Sequence, residues 1–509
     1  MTSIAQVRVA KSPNSSGIGH AASFVYFGVA EERFNNMNRE RLNTGQKALQ
    51  INLDAKKYGT FAEIGAGQEV ARWFFHVGGA SGTVAKTISA YDMAVSDAIY
   101  GPSDRYVSRH RLQAMLDYEF DLLLQRLDKT RGDKCTFFVF ANTVATHCFS
   151  RQTEGSGWLG IRFQTQPREK PSEIIIHVRM LDRENLREQE ALGILGVNLI
   201  HGAFHLHDEP AKLIGSLADD LSRERIEVDM IKFSGPRFAE LDNRLMSLQL
   251  VQQQLSDAAM FTAAGEVVIP SEVLYKKPVL VERGSFRPVT KTTLDILDRA
   301  REQFLRESQT QGEEPVVLME MTLRSVLADP TLAHKDFLDR VDILSALGKT
   351  VLISNFGRHY RLAQYLTRYT QKMHGIAMGV PSLVRLMDEK FYADLDGGLL
   401  ESLGRFFKGA TRIYVYPVRD AATGRVVTAE NLQVAPNLRH LYAHLLENGF
   451  ITSIQNHNPD YLPVFPPLVL AKIQSGDASW ECDVPPGTVD IIKRGRMFGW
   501  KEKADMAVA

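Results

Sequence analysis

Apolar positions along the chain fall into two spacings. Short continuous runs, such as Cys135–Phe140, Ile174–Ile176 and Val351–Ile353, are strand-sized. Between them lie segments whose apolar residues recur every three or four positions. The clearest is Arg109–Leu127, where Leu112, Leu116, Phe120, Leu123 and Leu127 make one helical stripe. Ahead of it, Tyr58–Ile64 reads as a strand, Gly65-Ala66-Gly67 as a turn, and Gln68–Val77 as a helix carrying Val70, Phe74 and Val77 on one face. Trp158–Gln164 and Glu173–Met180 read as an antiparallel hairpin around the loop Gln166–Pro171. Ile226–Phe233 is a further strand. Ala239–Phe261 reads as one long helix and Thr292–Phe304 as another. The alternation is cleanest beyond residue 315: strand Val316–Met321, helix Lys335–Leu347, strand Lys349–Ser354, helix Tyr360–Tyr369 and strand Thr411–Val418.

Strands separated by single helices predict an α/β protein of several domains. Its sheets should be Rossmann-like and mostly parallel, with flanking helices and a mixed or antiparallel hairpin region. The polar run Glu307–Glu314, which holds Gly312 and no large apolar residue, marks a domain boundary. The expected division is 38–306, with a split near 150 left open, and 315–509. Residues 1–37 read as a disordered leader: a Ser/Asn/Gly stretch precedes the apolar run Ala21–Ala30, which Ser23 and Gly28 interrupt.

Composition narrows the class. Lys plus Arg number 60 and Asp plus Glu number 60, so the formal net charge is zero. No cationic excess is available to neutralise phosphates, which argues against a nucleic-acid partner. No apolar run approaches the length of a membrane helix, so no membrane partner is expected. The three cysteines, Cys135, Cys148 and Cys482, cannot all pair, which fits a reducing cytoplasm. The stripes on Arg109–Leu127 and Ala239–Phe261 are candidates for homo-oligomer contacts.

Three segments are candidates for chemistry. In Phe61-Ala-Glu63-Ile-Gly65-Ala-Gly67, a strand runs into Gly-x-Gly ahead of a helix. This resembles the cofactor loop of Rossmann-like methyltransferases and implies a small-molecule ligand, S-adenosylmethionine or an adenine nucleotide. Glu63, Gly65 and Gly67 would line the loop, and Asp92 would hold the ribose. The alternative is a glycine turn that packs a helix against a strand. In the second segment, His201, His205 and His207 fall within seven residues, a spacing that permits a divalent metal on a helix face or strand exit. The alternative is a surface turn before the helix at Pro210. The third segment, Ser354-Asn-Phe-Gly-Arg358, follows a strand, where Arg358 and the next helix could hold an anion. Two further patterns fail on context. Gly348-Lys349-Thr350 follows a helix and precedes a strand, the reverse of a P-loop, and Asp394-Leu-Asp396 lacks the buried strand of a dehalogenase-type phosphatase.

Gly202-Ala-Phe204 with His205 and His207, followed downstream by Ile353-Ser354 and Arg358, has a faint likeness to class I adenylyltransferases. Those enzymes carry a Gly-x-Phe turn, a histidine pair on ATP phosphates and an Ile-Ser-Ser-Thr loop with a basic residue. The stretch from Met37-Asn-Arg-Glu-Arg to Ala66-Gly-Gln-Glu-Val-Ala71 resembles a bacterial protein family. Its members carry labels as unlike as TonB-dependent receptor and nicotinate-nucleotide adenylyltransferase. That resemblance implies a bacterial origin and brings no mechanism. The sequence reading is therefore a nucleotide-type ligand-binding, transferase-like protein. A non-catalytic oligomeric scaffold or regulator and a degenerate nucleotide adenylyltransferase remain as alternatives.

Overall fold

The computed structural model describes residues 41–147, 154–328 and 333–502. The expected leader 1–37 and Cys148 lie outside the described residues. The chain forms two compact α/β units. Of the described residues, one unit comprises those within 41–260 and 265–269, and the other those within 261–264 and 270–502. The short strands β7 (Ala258–Phe261) and β8 (Val267–Val268) lie in the segment where the chain passes from one to the other.

The N-terminal unit is built on β1 (Lys57–Ile64), β2 (Val84–Ile88), β3 (Thr136–Ala145), β4 (Gly155–Phe163), β5 (Ser172–Met180) and β6 (Ile226–Ser234), in the order β2-β1-β3-β4-β5-β6. β1 pairs in parallel with β2 and β3, whereas β3-β4, β4-β5 and β5-β6 are antiparallel. The sheet is thus mixed, and the expected hairpin forms its centre. Both faces are apolar because both are covered. On one side, Val70 and Phe74 of helix Glu69–His76 and Leu195 and Leu199 of helix Asn185–His205 meet Phe61, Phe140 and Ile176. On the other, Leu112, Met115, Leu116 and Phe120 of helix Arg109–Arg131 cover Phe137 and Val139. That helix starts where the Ser108 side chain accepts from Arg111 N, and it ends with Lys129 and Arg131 in the turn where the helix dipole favours cations.

The C-terminal unit contains β9 (Val279–Arg283), β10 (Val316–Thr322), β11 (Thr350–Ser354), β12 (His374–Gly379), β13 (Thr411–Tyr416) and β16 (Ile451–Ser453). A two-residue hairpin, β14 (Val418–Arg419) with β15 (Val426–Val427), follows β13. These are six of the eight strands of one sheet; they run β11-β10-β9-β12-β13-β16, and every neighbouring pair among them is parallel. Counted in chain order this is 3-2-1-4-5-6, the doubly wound Rossmann arrangement, whose strand order reverses between β9 and β12. The carboxyl ends of all six strands therefore share one edge.

Two expectations change. The boundary falls near residues 260–270 instead of 307–314, and β3 pairs with β4 across residue 150, so there is no division there. Glu307–Glu314 is only the turn between helix Lys291–Phe304 and β10, since β9 and that helix form the first strand and crossover of the second sheet. Ala239–Phe261 is not one helix either. Asp242 caps a helix at Asn243–Gln252, Gln254 at φ 62° ends it, and Ala258–Phe261 is strand.

Candidate functional site

The Gly-x-Gly loop of the N-terminal unit is occupied by the chain itself. Glu63, 1% exposed at the end of β1, turns its carboxylate onto the start of helix Glu69–His76. It accepts from Val70 N at 3.2 Å, Ala71 N at 2.9 Å and Asn142 Nδ2 at 3.0 Å. Burial pushes its pKa up to about 7, against the three donors. The amides that could meet a ligand anion thus already hold a side chain. Gly65, at φ +103°, lies so close to β3 that a Cβ would stand 1.8 Å from Val144 O. Its glycine serves strand–turn packing and leaves no gap there. Gly67 is left-handed with open space around it, and the exposed Asp92 caps helix Met93–Tyr100 by accepting from Val95 N at 3.0 Å. Glu63 and Gly65 are thus engaged in packing within the chain, whereas Gly67 and Asp92 are exposed.

The histidine cluster is corrected as well. His201 and His205 share a face at the end of helix Asn185–His205, with ring centroids 4.6 Å apart. His201 Nε2 sits 2.9 Å from Gln50 Oε1, while His207 Nδ1 meets Ala203 O at 3.0 Å. Among the described residues no group of three His, Cys, Asp or Glu side chains converges to hold a metal. Nor can Gly202-Ala-Phe204 be an adenylyltransferase turn, because it lies inside that helix.

His201 gives the cluster a different role. Burial lowers its pKa to about 3, so the folded protein keeps it neutral. The unfolded chain takes up a proton below pH ~6.5, and stability falls from there towards the folded pKa. His201→Gln is expected to flatten the acid limb of a plot of unfolding free energy against pH. The slope between pH 6 and pH 4.5 should drop by about 1.4 kcal/mol per pH unit. An unchanged slope in urea titrations would remove His201 from the acid transition.

The C-terminal unit carries the third candidate on its carboxyl edge. β11 ends at Ser354, which is fully buried, and its Oγ donates to Glu320 Oε1 of β10 at 2.6 Å. Glu320, also fully buried, receives Arg283 of β9 through two bonds, at 2.7 and 2.8 Å. Adjacent parallel strands set this registry, with Glu320 beside Arg283 and Thr322 beside Ser354. The three side chains form a floor across the first three strands. Burial, followed by the charge of Arg283, holds His359 well below the ordinary histidine range, so it is neutral.

Above this floor, the loop from Ser354 leads to helix His359–Tyr369. Asn355 and Gly357 are exposed, and no atom lies within 4 Å of the Gly357 Cβ position. The helix begins at Arg358 with no side-chain hydrogen bond to its first amides. Arg358 pairs with Asp394, whose side chain is 65% exposed, and stacks over Tyr392 with 5.7 Å to the ring centroid. Burial opposes ionisation of the Tyr360 phenol, but hydrogen bonds from Arg361 and Arg358 outweigh it and lower its pKa. Two guanidinium groups thus meet the Tyr360 phenol, in the first turn of a helix whose start has no side-chain cap.

The structure therefore places Ser354 and Arg358 in one loop, joins Ser354 through Glu320 to Arg283, and leaves Glu63, Gly65, Gly67 and Asp92 in the other unit. The sequence did hold a sign of Glu320 and of Glu282, because each is a lone carboxylate inside an apolar strand run. The turn after the first strand of this sheet, Gly284-Ser285-Phe286, is also a Gly-x-Phe. Arg287, Pro288 and Thr290 follow it, with no histidine. A second buried pair also went unread: His177 Nδ1 meets Asp229 Oδ1 at 2.6 Å, beside Trp158 and at a β-bulge.

No protein-family model matches the chain, and no curated protein matches it. Among solved structures, the chain is similar to the competence/damage inducible protein CihA from Agrobacterium tumefaciens, at 16% identity and a TM-score of 0.24, over 32% of this chain and 97% of that one. It is similar at 12% identity and a TM-score of 0.24 to a competence-damaged protein (CinA) superfamily protein from Enterobacter cloacae, over 33% and 95%. A competence or damage-inducible protein from Enterobacter asburiae gives 12%, 0.24, 32% and 98%.

Proposed function

We propose that the protein binds a nucleotide-type anion at the carboxyl edge of its C-terminal sheet, over Ser354 and Arg358. The observation that carries this reading is the uncapped start of helix His359–Tyr369, with Arg358 at its cap and Arg361 in its first turn. Open α/β sheets gather ligands outside the carboxyl ends of their strands, and helix amides with arginines suit phosphate. The Arg358–Asp394 pair is no barrier, since an exposed ion pair is worth about 0–1 kcal/mol and can yield to a ligand anion. Adenylyl transfer has less support, because no histidine follows the Gly284-Ser285-Phe286 turn. The reading is thus of a nucleotide binder of transferase-like fold, with S-adenosylmethionine and adenine nucleotides as the ligands to try.

The test is ligand-induced thermal stabilisation with ATP, S-adenosylmethionine and nicotinamide nucleotides. A ligand at 100 times its Kd should add about 2.7 kcal/mol to the stability of the unit that binds it. Arg358→Ala is expected to remove the shift while leaving the unliganded melting temperature within a few degrees. No shift with any of the three, or a shift that survives Arg358→Ala, would end this reading.

A further inference from the structure

A cavity in the C-terminal unit lies away from the Ser354–Arg358 loop in sequence and on different elements. It has a volume of about 550 Å³ and is walled by Trp480, Trp500, Lys493, Arg494, Arg496 and Lys501. This is within the size range of small-ligand clefts. Its walls come from the turn Ala478–Cys482, the helix Thr488–Arg494 and the segment around Met497–Gly499. Against those four cations stand Glu481 and Glu502. Glu481 is engaged by Lys493 at 2.8 Å. Arg494 and Lys501 have no carboxylate partner among the described residues, so positive charge is in excess.

The backbone that shapes this wall is unusual. Arg496 at φ 47° and Phe498 at φ 55° both occupy the left-handed region, which non-glycine residues adopt rarely. Burial of the Met497 and Phe498 side chains holds the turn in place. The turn sets Arg496 and Trp500 on the cavity wall together, while Trp480, 1% exposed, forms its floor. Strained backbone of this kind gathers where side chains must be aimed at a ligand.

We infer that this cavity is a binding site for a planar ring bearing an anionic group, of mononucleotide size. Trp500, partly exposed, supplies an aromatic face for the ring above the buried Trp480, and the arginines and Lys501 supply donors for a phosphate. Its residues are separate from those of the Ser354–Arg358 site, so either site can fail without the other.

The probe is AMP, read by tryptophan fluorescence on the full chain. Saturable quenching is expected, and it should weaken with added salt because the cations are exposed. Arg494→Gln and Arg496→Gln should each weaken AMP by about tenfold or more, the loss of one charge-assisted contact. Trp500→Phe should remove part of the quenching amplitude. Arg494 lies on a helix surface, so its variant stands as the test if Arg496→Gln does not fold. Absence of saturable quenching up to millimolar AMP would overturn the site. So would parent-like affinity in folded Arg494→Gln. Adenosine binding as tightly as AMP would overturn the anionic half, and inorganic phosphate competing as well as AMP would overturn the ring half.

Discussion

Gly65→Ala is expected to abolish the folded N-terminal unit. The new Cβ would lie 1.8 Å from the Val144 carbonyl oxygen, far inside van der Waals contact, and φ is +103°. The contact is with backbone of a central strand, which cannot rotate aside as a side chain can. Relief requires β1 and β3 to separate where Ile64 is paired with Thr143. It would also draw Glu63 from Asn142, to which it is bonded across the same strands. The expected loss is at least about 4 kcal/mol, a large part of the ~5–15 kcal/mol that holds a domain together. Gly67→Ala is the control. It too has positive φ, at +75°, but nothing lies within 4 Å of its Cβ position, so only the left-handed penalty of about 1–2 kcal/mol applies. Urea unfolding of the two variants should separate them clearly. Similar midpoints would mean that the strand contact does not limit the fold.

Glu320→Ala is expected to destabilise the C-terminal unit by about 3–5 kcal/mol, because it leaves Arg283 as an uncompensated buried charge. Arg283 has a side chain only 14% exposed and donates both of its bonds to this carboxylate. Ser354 loses its acceptor in the same step. Ser354→Ala keeps the ion pair and removes the bond to Glu320 together with a long one from Phe356 N at 3.4 Å, so its cost should be about 1–3 kcal/mol. The double variant Arg283→Met with Glu320→Leu should recover most of the stability, since apolar side chains of similar volume remove both charges together. Chemical denaturation of the three variants checks this. If the double variant is no more stable than Glu320→Ala, the loss comes from packing and not from the stranded arginine.

Much of the secondary structure was legible in local pattern. Helix Arg109–Arg131 announces itself through its stripe and its Ser108 cap, and β4 and β5 through alternating runs around a turn. These features depend on neighbours in sequence, so the sequence carries them. Ala239–Phe261 misled because its leucines and glutamines favour helix throughout. The left-handed Gln254 and the pairing of the Ala258–Phe261 strand decide where the helix stops. Glu307–Glu314 misled in the opposite way. A polar turn inside one βαβ crossover has the same composition as a linker between domains.

What the sequence by itself determined is the α/β class, most of the elements, and the position of Ser354 and Arg358 just past a strand. It also showed a helix-rich chain without a run apolar enough to cross a membrane, and no helix among the described residues is long and apolar enough to do so. Only the tertiary structure decided what the motifs do. Gly-x-Gly before a helix permits a ligand loop or a packed turn. The choice depends on whether the helix amides are empty, and here Glu63 fills them from seven and eight residues away. Three histidines within seven residues permit a metal, but the end of helix Asn185–His205 turns His201 towards Gln50 instead. Strand order is the strongest case. Strands β10, β11 and β13 of the C-terminal sheet can be read locally, yet the sequence does not say which edge the next one joins. Hydrogen bonding between strands far apart in the chain produced 3-2-1-4-5-6 among these six, and with it the contact of Arg283, Glu320 and Ser354 below the loop that carries Arg358.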